Sequence, residues 1–132
     1  MVVTDYFADL IIRIKNAYLA RKRNIIVPWS KKGEKLIEIL VKEGYLKNAK
    51  LKTQDSKFKF LELGLKYEGK EPAFKEAKII SKPGLRIYTK ANQIPRVKES
   101  KGITIVSTPK GLMTDKQARK DNQGGELICQ IW

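Results

Sequence analysis

The sequence predicts an α+β fold of two small domains, and three observations support this. Apolar residues recur at spacings of three and four over residues 4–20 and 31–43, which indicates two amphipathic helices. Short segments rich in β-branched and aromatic residues, typical of strands, separate and follow them. Residues 68–72 interrupt both patterns. We therefore assign an N-terminal α+β domain with an extended connecting segment to residues 1–80, and a C-terminal antiparallel sheet with short helices to residues 81–132.

The N-terminal half predicts the order helix, strand, helix, strand, strand. Pro28 ends the first strand, and Ser30 is placed to cap the second helix. Gly44 stands where a helix commonly ends in a left-handed residue. The first helix is expected to bury one apolar face, made of Phe7, Leu10, Ile11, Ile14, Ala17 and Tyr18.

Two further strands, at 46–53 and 57–67, are joined by a predicted turn at 54–56. The second strand places Phe58 and Phe60 on one face and three leucines on the other, so we expect a bulge near 60–61 or burial on both faces. Exposed aromatics here would stack on bases, as in proteins that bind single strands. Core packing is favoured instead, because strand aromatics usually bury their area.

The C-terminal half predicts strands at 85–88 and 103–106, then a short helix and a final strand at 126–132. Thr114 and Gln117 form a capping-box pattern that opens the helix. The paired glycines at 124 and 125 are expected to end it.

Charge is the strongest global signal. The 132 residues hold 28 Lys and Arg against 14 Asp and Glu, a formal net charge of +14, and both halves share the excess. Self-repulsion destabilises such a chain until a polyanion neutralises it. RNA is the favoured polyanion, with duplex DNA as the rival, because Lys and Arg displace the counterions of phosphates. A protein that is merely basic is the bland alternative, and an anionic membrane is disfavoured because no long basic amphipathic helix occurs.

Catalysis finds little support in the side chains. The chain has no His, the commonest general base near neutral pH. Its carboxylates are scattered, and Cys129, the single cysteine, excludes a disulfide framework and a multi-thiolate metal site. A nucleophilic pair of Ser107 with Lys110 is the remaining enzymatic alternative. We therefore predict a non-enzymatic protein without cofactor or metal. We expect a cytoplasmic setting, because neither a signal peptide nor a bilayer-length apolar segment occurs.

The most informative stretch is Ser107-Thr108-Pro109-Lys110-Gly111, which follows a strand and precedes the capped helix. Its hydroxyls are suited to hydrogen bonds with base edges, ribose or phosphate, and Lys110 supplies charge. Gly111 permits the close approach of a ligand. An ordinary polar turn is the alternative, because many turns share this composition.

Further candidate residues lie in the same half. Gly124-Gly125 indicates an unusual backbone or a close approach, and Glu126 is suited to accept a hydrogen bond from a base amino group or a ribose hydroxyl, or to orient an Arg. Arg86 and Tyr88 are expected to share a strand face, a natural surface for stacking on a sugar or base. A half-buried packing role for Tyr88 is the competing interpretation.

An ordered set of segments resembles one known family, that of bacterial small-subunit ribosomal protein eight. Residues 102–115, 118–119 and 124–129 are similar to its signature, and 82–88 to an earlier block. The N-terminal half matches in order at Asp5, Ala8-Asp9, Arg13-Ile14-Lys15-Asn16-Ala17, Pro28 and Ser30-Lys31.

The resemblance implies a two-domain primary binder of the central domain of small-subunit rRNA that supports assembly of the platform. It implies contacts with neighbouring ribosomal proteins, including the fifth, and repression of the messenger of its own operon. In the family a Ser-Thr-Ser loop contacts the RNA; here Ser107 and Thr108 match, while Pro109 removes the third hydroxyl. The resemblance further assigns RNA contacts to Tyr88, Gly124 and Glu126, and to Arg13, Asn16 and Lys31 in the N-terminal half.

Overall fold

Three helices and ten strands are described. A computed structural model of the chain describes residues 3–54, 57–97 and 102–132, with side chains from Tyr6 onward, so Asp55 and Ser56 of the predicted turn lie outside the described residues. The elements in order are α1 (Val3–Leu19), β1 (Asn24–Pro28), α2 (Lys31–Lys42), β2 (Asn48–Gln54), β3 (Phe58–Gly64), β4 (Tyr67–Glu68), β5 (Glu71–Pro72), β6 (Ala77–Ile79), β7 (Tyr88–Thr89), a 3-10 turn (Ala91–Gln93), β8 (Ile103–Thr108), β9 (Gly111–Thr114), α3 (Asp115–Lys120) and β10 (Gly125–Ile131).

These elements form two compact units. Arg13–Phe74 makes one, and the start of the chain through Ile12 together with Lys75–Trp132 makes the other. The division falls earlier than the predicted boundary between residues 80 and 81, because β6 pairs with β10 of the C-terminal sheet. The predicted α+β class, with helices and antiparallel sheets, is confirmed.

The unit Arg13–Phe74 contains a three-stranded antiparallel sheet in the order β1-β3-β2. One face of the sheet is apolar and buried at Val27, Leu61 and Leu63, and α2 buries Leu36, Ile37 and Leu40. The face of α1 is as predicted, because all six of its expected apolar residues are buried.

The expected bulge in β3 is wrong. Its register against β1 and β2 is regular throughout, so Leu61 and Leu63 simply alternate with Phe58 and Phe60. Only the leucine face is covered. Phe60 is therefore half-buried, and Phe58 is 70% exposed rather than packed in the core, which corrects the sequence expectation for Phe58.

All three helices end in the same kind of cap. Gly44 has φ +85° after α2, as predicted, and its N–H donates to the Val41 carbonyl while that of the next residue donates to Leu40. This pair of bonds is a Schellman motif. Asn122 takes the left-handed place after α3 at φ 52°, and Arg21 takes it after α1 at φ 58°. The paired glycines at 124 and 125 therefore do not end α3, which corrects that prediction.

The second unit is built on a five-stranded antiparallel sheet. Its path runs β6-β10-β8-β9, and β7 also pairs with β10. β10 carries a bulge between Leu127 and Cys129 against β8, which buries both Leu127 and Ile128. The strand predicted at 85–88 is shorter and later, since only Tyr88–Thr89 forms a ladder and Leu85 makes an isolated bridge with Lys82.

Replacing Ser30 tests the cap of α2. The Ser30 hydroxyl accepts a 3.0 Å hydrogen bond from the Gly33 N–H, which satisfies one of the unpaired donors of the first turn. We expect Ser30→Ala to lower the free energy of unfolding by about 1 kcal/mol in urea titration. Ser30→Asp retains an acceptor and should unfold close to the parent chain; equal losses in the two variants would contradict the assigned cap.

Candidate nucleic-acid interface

Three predicted residues lie in one row across the C-terminal sheet. Glu126 of β10 pairs with Tyr88 of β7 on one side and with Ser107 of β8 on the other. Residues directly opposite each other in antiparallel strands point to the same face, so these side chains share one surface. With strands about 4.8 Å apart, the row spans roughly 10 Å. Tyr88 is 69% exposed, which excludes the half-buried packing role, and the other two are half-buried.

The stretch from Ser107 to Gly111 is a β-hairpin rather than a loop between a strand and a helix. Ser107 and Thr108 belong to β8, Pro109 and Lys110 form the exposed turn, and Gly111 begins β9, which was not predicted. Thr108 is buried, and its hydroxyl donates to the Gly111 carbonyl at 2.8 Å and accepts from the Lys110 N–H at 3.1 Å. The hydroxyl of Thr108 therefore closes the turn that presents Lys110 to solvent.

The two glycines before Glu126 are sites of close backbone contact within the protein. A Cβ on Gly125 would lie 2.1 Å from the Ser107 carbonyl oxygen, and one on Gly124 would lie 2.4 Å from that of Thr89. Neither glycine needs a positive φ. Their missing side chains thus let β7 and β8 approach β10, which builds the row. Gly111 differs, because its φ is +116° and the space around it is open.

The remaining predicted residues are spread more widely. Arg86 lies before β7, so it is not part of the ladder; it is half-buried and already engaged by another group of the protein, as Glu126 is. Arg13, Asn16 and Lys31 are exposed and belong to the other unit, the first two on α1 and Lys31 at the start of α2.

A buried polar network holds the hairpin and α3 together. The Thr114 hydroxyl accepts from the Gln117 N–H at 3.3 Å and caps α3 as predicted. The reciprocal bond of the capping box, from the Thr114 N–H to the Gln117 side-chain oxygen, is absent from the described contacts, and the Gln117 Nε2 donates to the Asp121 carboxylate. Asp115 is buried and pairs with Arg119 at 3.0 Å, and its carboxylate accepts from the Thr104 N–H.

Other chemistry is sparse in the part of the chain that the structure describes. Burial raises the pKa of the Cys129 thiol to about 12, so it stays protonated near neutral pH. Within residues 3–54, 57–97 and 102–132, no three His, Cys, Asp or Glu side chains gather as a set of metal ligands. None of the helices described there has the length and apolar character needed to cross a bilayer.

Known proteins resemble the chain over its whole length. The sequence model of the family described as Ribosomal protein S8 matches residues 5–132. The small ribosomal subunit protein uS8 of Dictyoglomus turgidum is 48% identical over 132 residues, which is 100% of both chains. Proteins of the same name from Mycoplasmopsis agalactiae and Clostridium novyi are 46% and 45% identical over 132 residues, again covering 100% of each chain.

These likenesses define a structural protein of the small ribosomal subunit. The chain belongs to the ribosomal protein S8 family, which confirms the resemblance found in its sequence. The row and the hairpin turn both lie within the matched residues.

Two glycine substitutions distinguish the cost of a steric clash at Gly125 from the cost of a strained backbone angle at Gly111. Gly125→Ala forces a methyl group onto the Ser107 carbonyl, which the sheet cannot move without losing pairing, so we expect a loss of about 3 kcal/mol in the free energy of unfolding. Gly111→Ala meets no neighbour and should cost about 1 kcal/mol through its left-handed φ alone. Urea titration of both variants gives the comparison, and an equal or reversed order would contradict this account of the row.

Proposed function

We propose that the protein binds directly to the central domain of small-subunit rRNA through the row of Tyr88, Glu126 and Ser107 and the adjacent Pro109-Lys110 turn. The observation that carries the proposal is that these residues, distant in the sequence, meet on one face of one sheet. Binding would support assembly of the platform of the small subunit, without catalysis.

The row offers three different chemical functions over roughly 10 Å. Tyr88 presents an exposed ring on which a base or sugar can stack. Ser107 adds a hydroxyl that donates and accepts. Glu126 carries two acceptor oxygens, so it favours donors such as a base amino group or a ribose 2′-hydroxyl and repels phosphate. This combination matches an irregular RNA better than a regular phosphate backbone.

The hairpin turn supplies the phosphate contact beside the row. Lys110 is exposed at its tip, and Pro109 and Gly111 stiffen and shape the backbone there. Thr108 takes part by holding this turn, since its hydroxyl accepts from the Lys110 N–H and donates to the Gly111 carbonyl. Gly124 and Gly125 have a positioning role, because they let the neighbouring strands approach β10. The half-buried Arg86 supports the RNA-binding surface from the segment before β7.

The proposal includes a second set of contacts and further partners. Exposed Arg13, Asn16 and Lys31 contribute phosphate or sugar contacts from the unit Arg13–Phe74. Neighbouring small-subunit proteins, the fifth among them, adjoin the bound protein in the subunit. A messenger from its own operon that presents a similar irregular helix would compete for the same surface and allow repression. The support for these partners is membership of the family.

Removing the exposed ring tests the row. Tyr88→Ala should weaken binding to a central-domain rRNA transcript by about tenfold to a hundredfold, because stacking on a base contributes about 1–3 kcal/mol. Tyr88→Phe keeps the ring and should bind nearly as the parent does. Phe58→Ala is a matched control, since Phe58 is 70% exposed but lies in the other unit. Filter binding measures all four proteins, and an unchanged affinity for Tyr88→Ala would remove this residue from the site.

Competition between nucleic acids tests the class of ligand. We expect structured rRNA to displace a labelled transcript at far lower concentration than duplex DNA of the same length, because the row reads 2′-hydroxyls and unpaired bases. Nuclease footprinting on naked small-subunit rRNA should then protect the central domain alone. Equal displacement by duplex DNA, or no protected segment, would overturn the proposal.

A further inference from the structure

A cationic groove crosses the surface of the unit Arg13–Phe74, far along the chain from the residues of the row. Two adjoining depressions of ≈450 and ≈500 Å³ share Arg23 and Tyr67 in their walls. Their walls include the turn after α1, the residue before β2, the segment between β3 and β4, and the β4–β5 turn. The cations of this groove are Arg21, Arg23, Lys47, Lys66 and Lys70.

No carboxylate lines either depression among the described residues. The nearest acids in sequence, Glu68 and Glu71, are directly paired across the β4–β5 hairpin. Because strand side chains alternate, they lie on the face opposite to Tyr67. Within the described part of the chain, Arg23, Lys47 and Lys70 form no ion pair. The groove thus collects positive charge that the fold itself does not neutralise.

One wall of the groove is fixed by the protein at a cost in backbone energy. Arg21 holds the left-handed end of α1 at φ 58°, where glycine fits better by roughly 1 kcal/mol. Its Nη1 donates to the Lys70 carbonyl, and its guanidinium lies 5.9 Å from the centre of the Tyr67 ring. The Tyr67 hydroxyl in turn donates to the Lys22 carbonyl at 2.7 Å. These contacts hold a cation in place and join both sides of the groove.

We infer that this groove is a second RNA-binding site, which takes the phosphates of an RNA backbone. The inference rests on the RNA binding proposed above and adds a contact that does not involve Arg13, Asn16 or Lys31. Arg23 and Lys47 neutralise neighbouring phosphates, and Tyr67 borders the same stretch of backbone. Lys66 lines the groove and also lies with its Nζ near Gly44, where its charge favours the negative end of α2.

RNA fits the groove better than an acidic segment of a neighbouring protein. A polyanion with regularly spaced charges can meet cations distributed over two adjoining depressions at once. The lining is also poor in large aliphatic side chains, which a docked peptide would need for burial, since Leu65 alone contributes one and it is buried.

The salt dependence of binding tests the inference. The full chain is titrated with a central-domain rRNA transcript over a series of KCl concentrations. Arg23→Gln combined with Lys47→Gln should make the slope of log K against log salt shallower by about 2, one for each lost phosphate contact. A matched control, Lys42→Gln with Lys57→Gln, removes two exposed charges from the same unit outside the groove and should change the slope much less. Arg23→Lys with Lys47→Arg keeps the charge and should retain the slope.

The outcomes separate this inference from the proposed function. If the parent chain does not bind the transcript, the proposed function fails. If the parent binds but the groove variant and the control variant have the same slope, the groove is not an RNA site, and an acidic protein segment becomes the better occupant. Thermal melting checks the fold. Should the double variant melt early, Lys47→Gln alone carries the test with a slope change of about 1, because the described bond of Lys47 to the sheet is made by its backbone N–H, which the substitution retains.

Discussion

The close approach of β8 to β10 is the constraint on which the C-terminal unit depends. At Gly125 the two backbones lie so near that no side chain fits between them. This contact sets the register that places Ser107, Glu126 and Tyr88 in one row, and the bulge at Leu127 then turns two successive apolar residues into the core. The polar network around Asp115 seats α3 against the same strands. The positions of the side chains in the row therefore follow from the backbone geometry of this unit.

Local patterns in the sequence predict much of this fold, because helix faces and caps depend on near neighbours. The six buried residues of α1, the Ser30 cap and the left-handed Gly44 all follow from spacing and residue type. The exposure of Phe58 does not, since it depends on which face of β3 is covered by the rest of the fold. The pairing of Glu126 with two strands is likewise non-local; the sequence marked Glu126 as a candidate contact without indicating its strand partners.

Cations illustrate the same limit. Arg21 and Arg23 follow a helix, where the dipole favours cations, and the sequence leaves open whether they contact phosphate or stay in solvent. Folding places them beside Lys47 and Lys70, which lie far along the chain, and keeps Glu68 and Glu71 on another face. A net charge of +14 indicates a polyanion but carries no position. The location of each contact requires the sheet and its turns.

Strand β2 lies at an edge of the three-stranded sheet, and this edge affects the solubility of a copy that is not bound in a ribosomal subunit. β2 is an edge strand exposed along its full length, and Phe58 of the neighbouring β3 and Ile26 of β1 add exposed apolar surface to the same sheet. An exposed edge strand of this kind can pair with a strand of a second chain and start aggregation. Lys50 and Lys52 lie on that edge strand, Lys52 in an ion pair with Glu62, and lysines at a sheet edge oppose its pairing with a second copy. The tendency of unbound copies to associate through this edge is therefore expected to rise with their concentration.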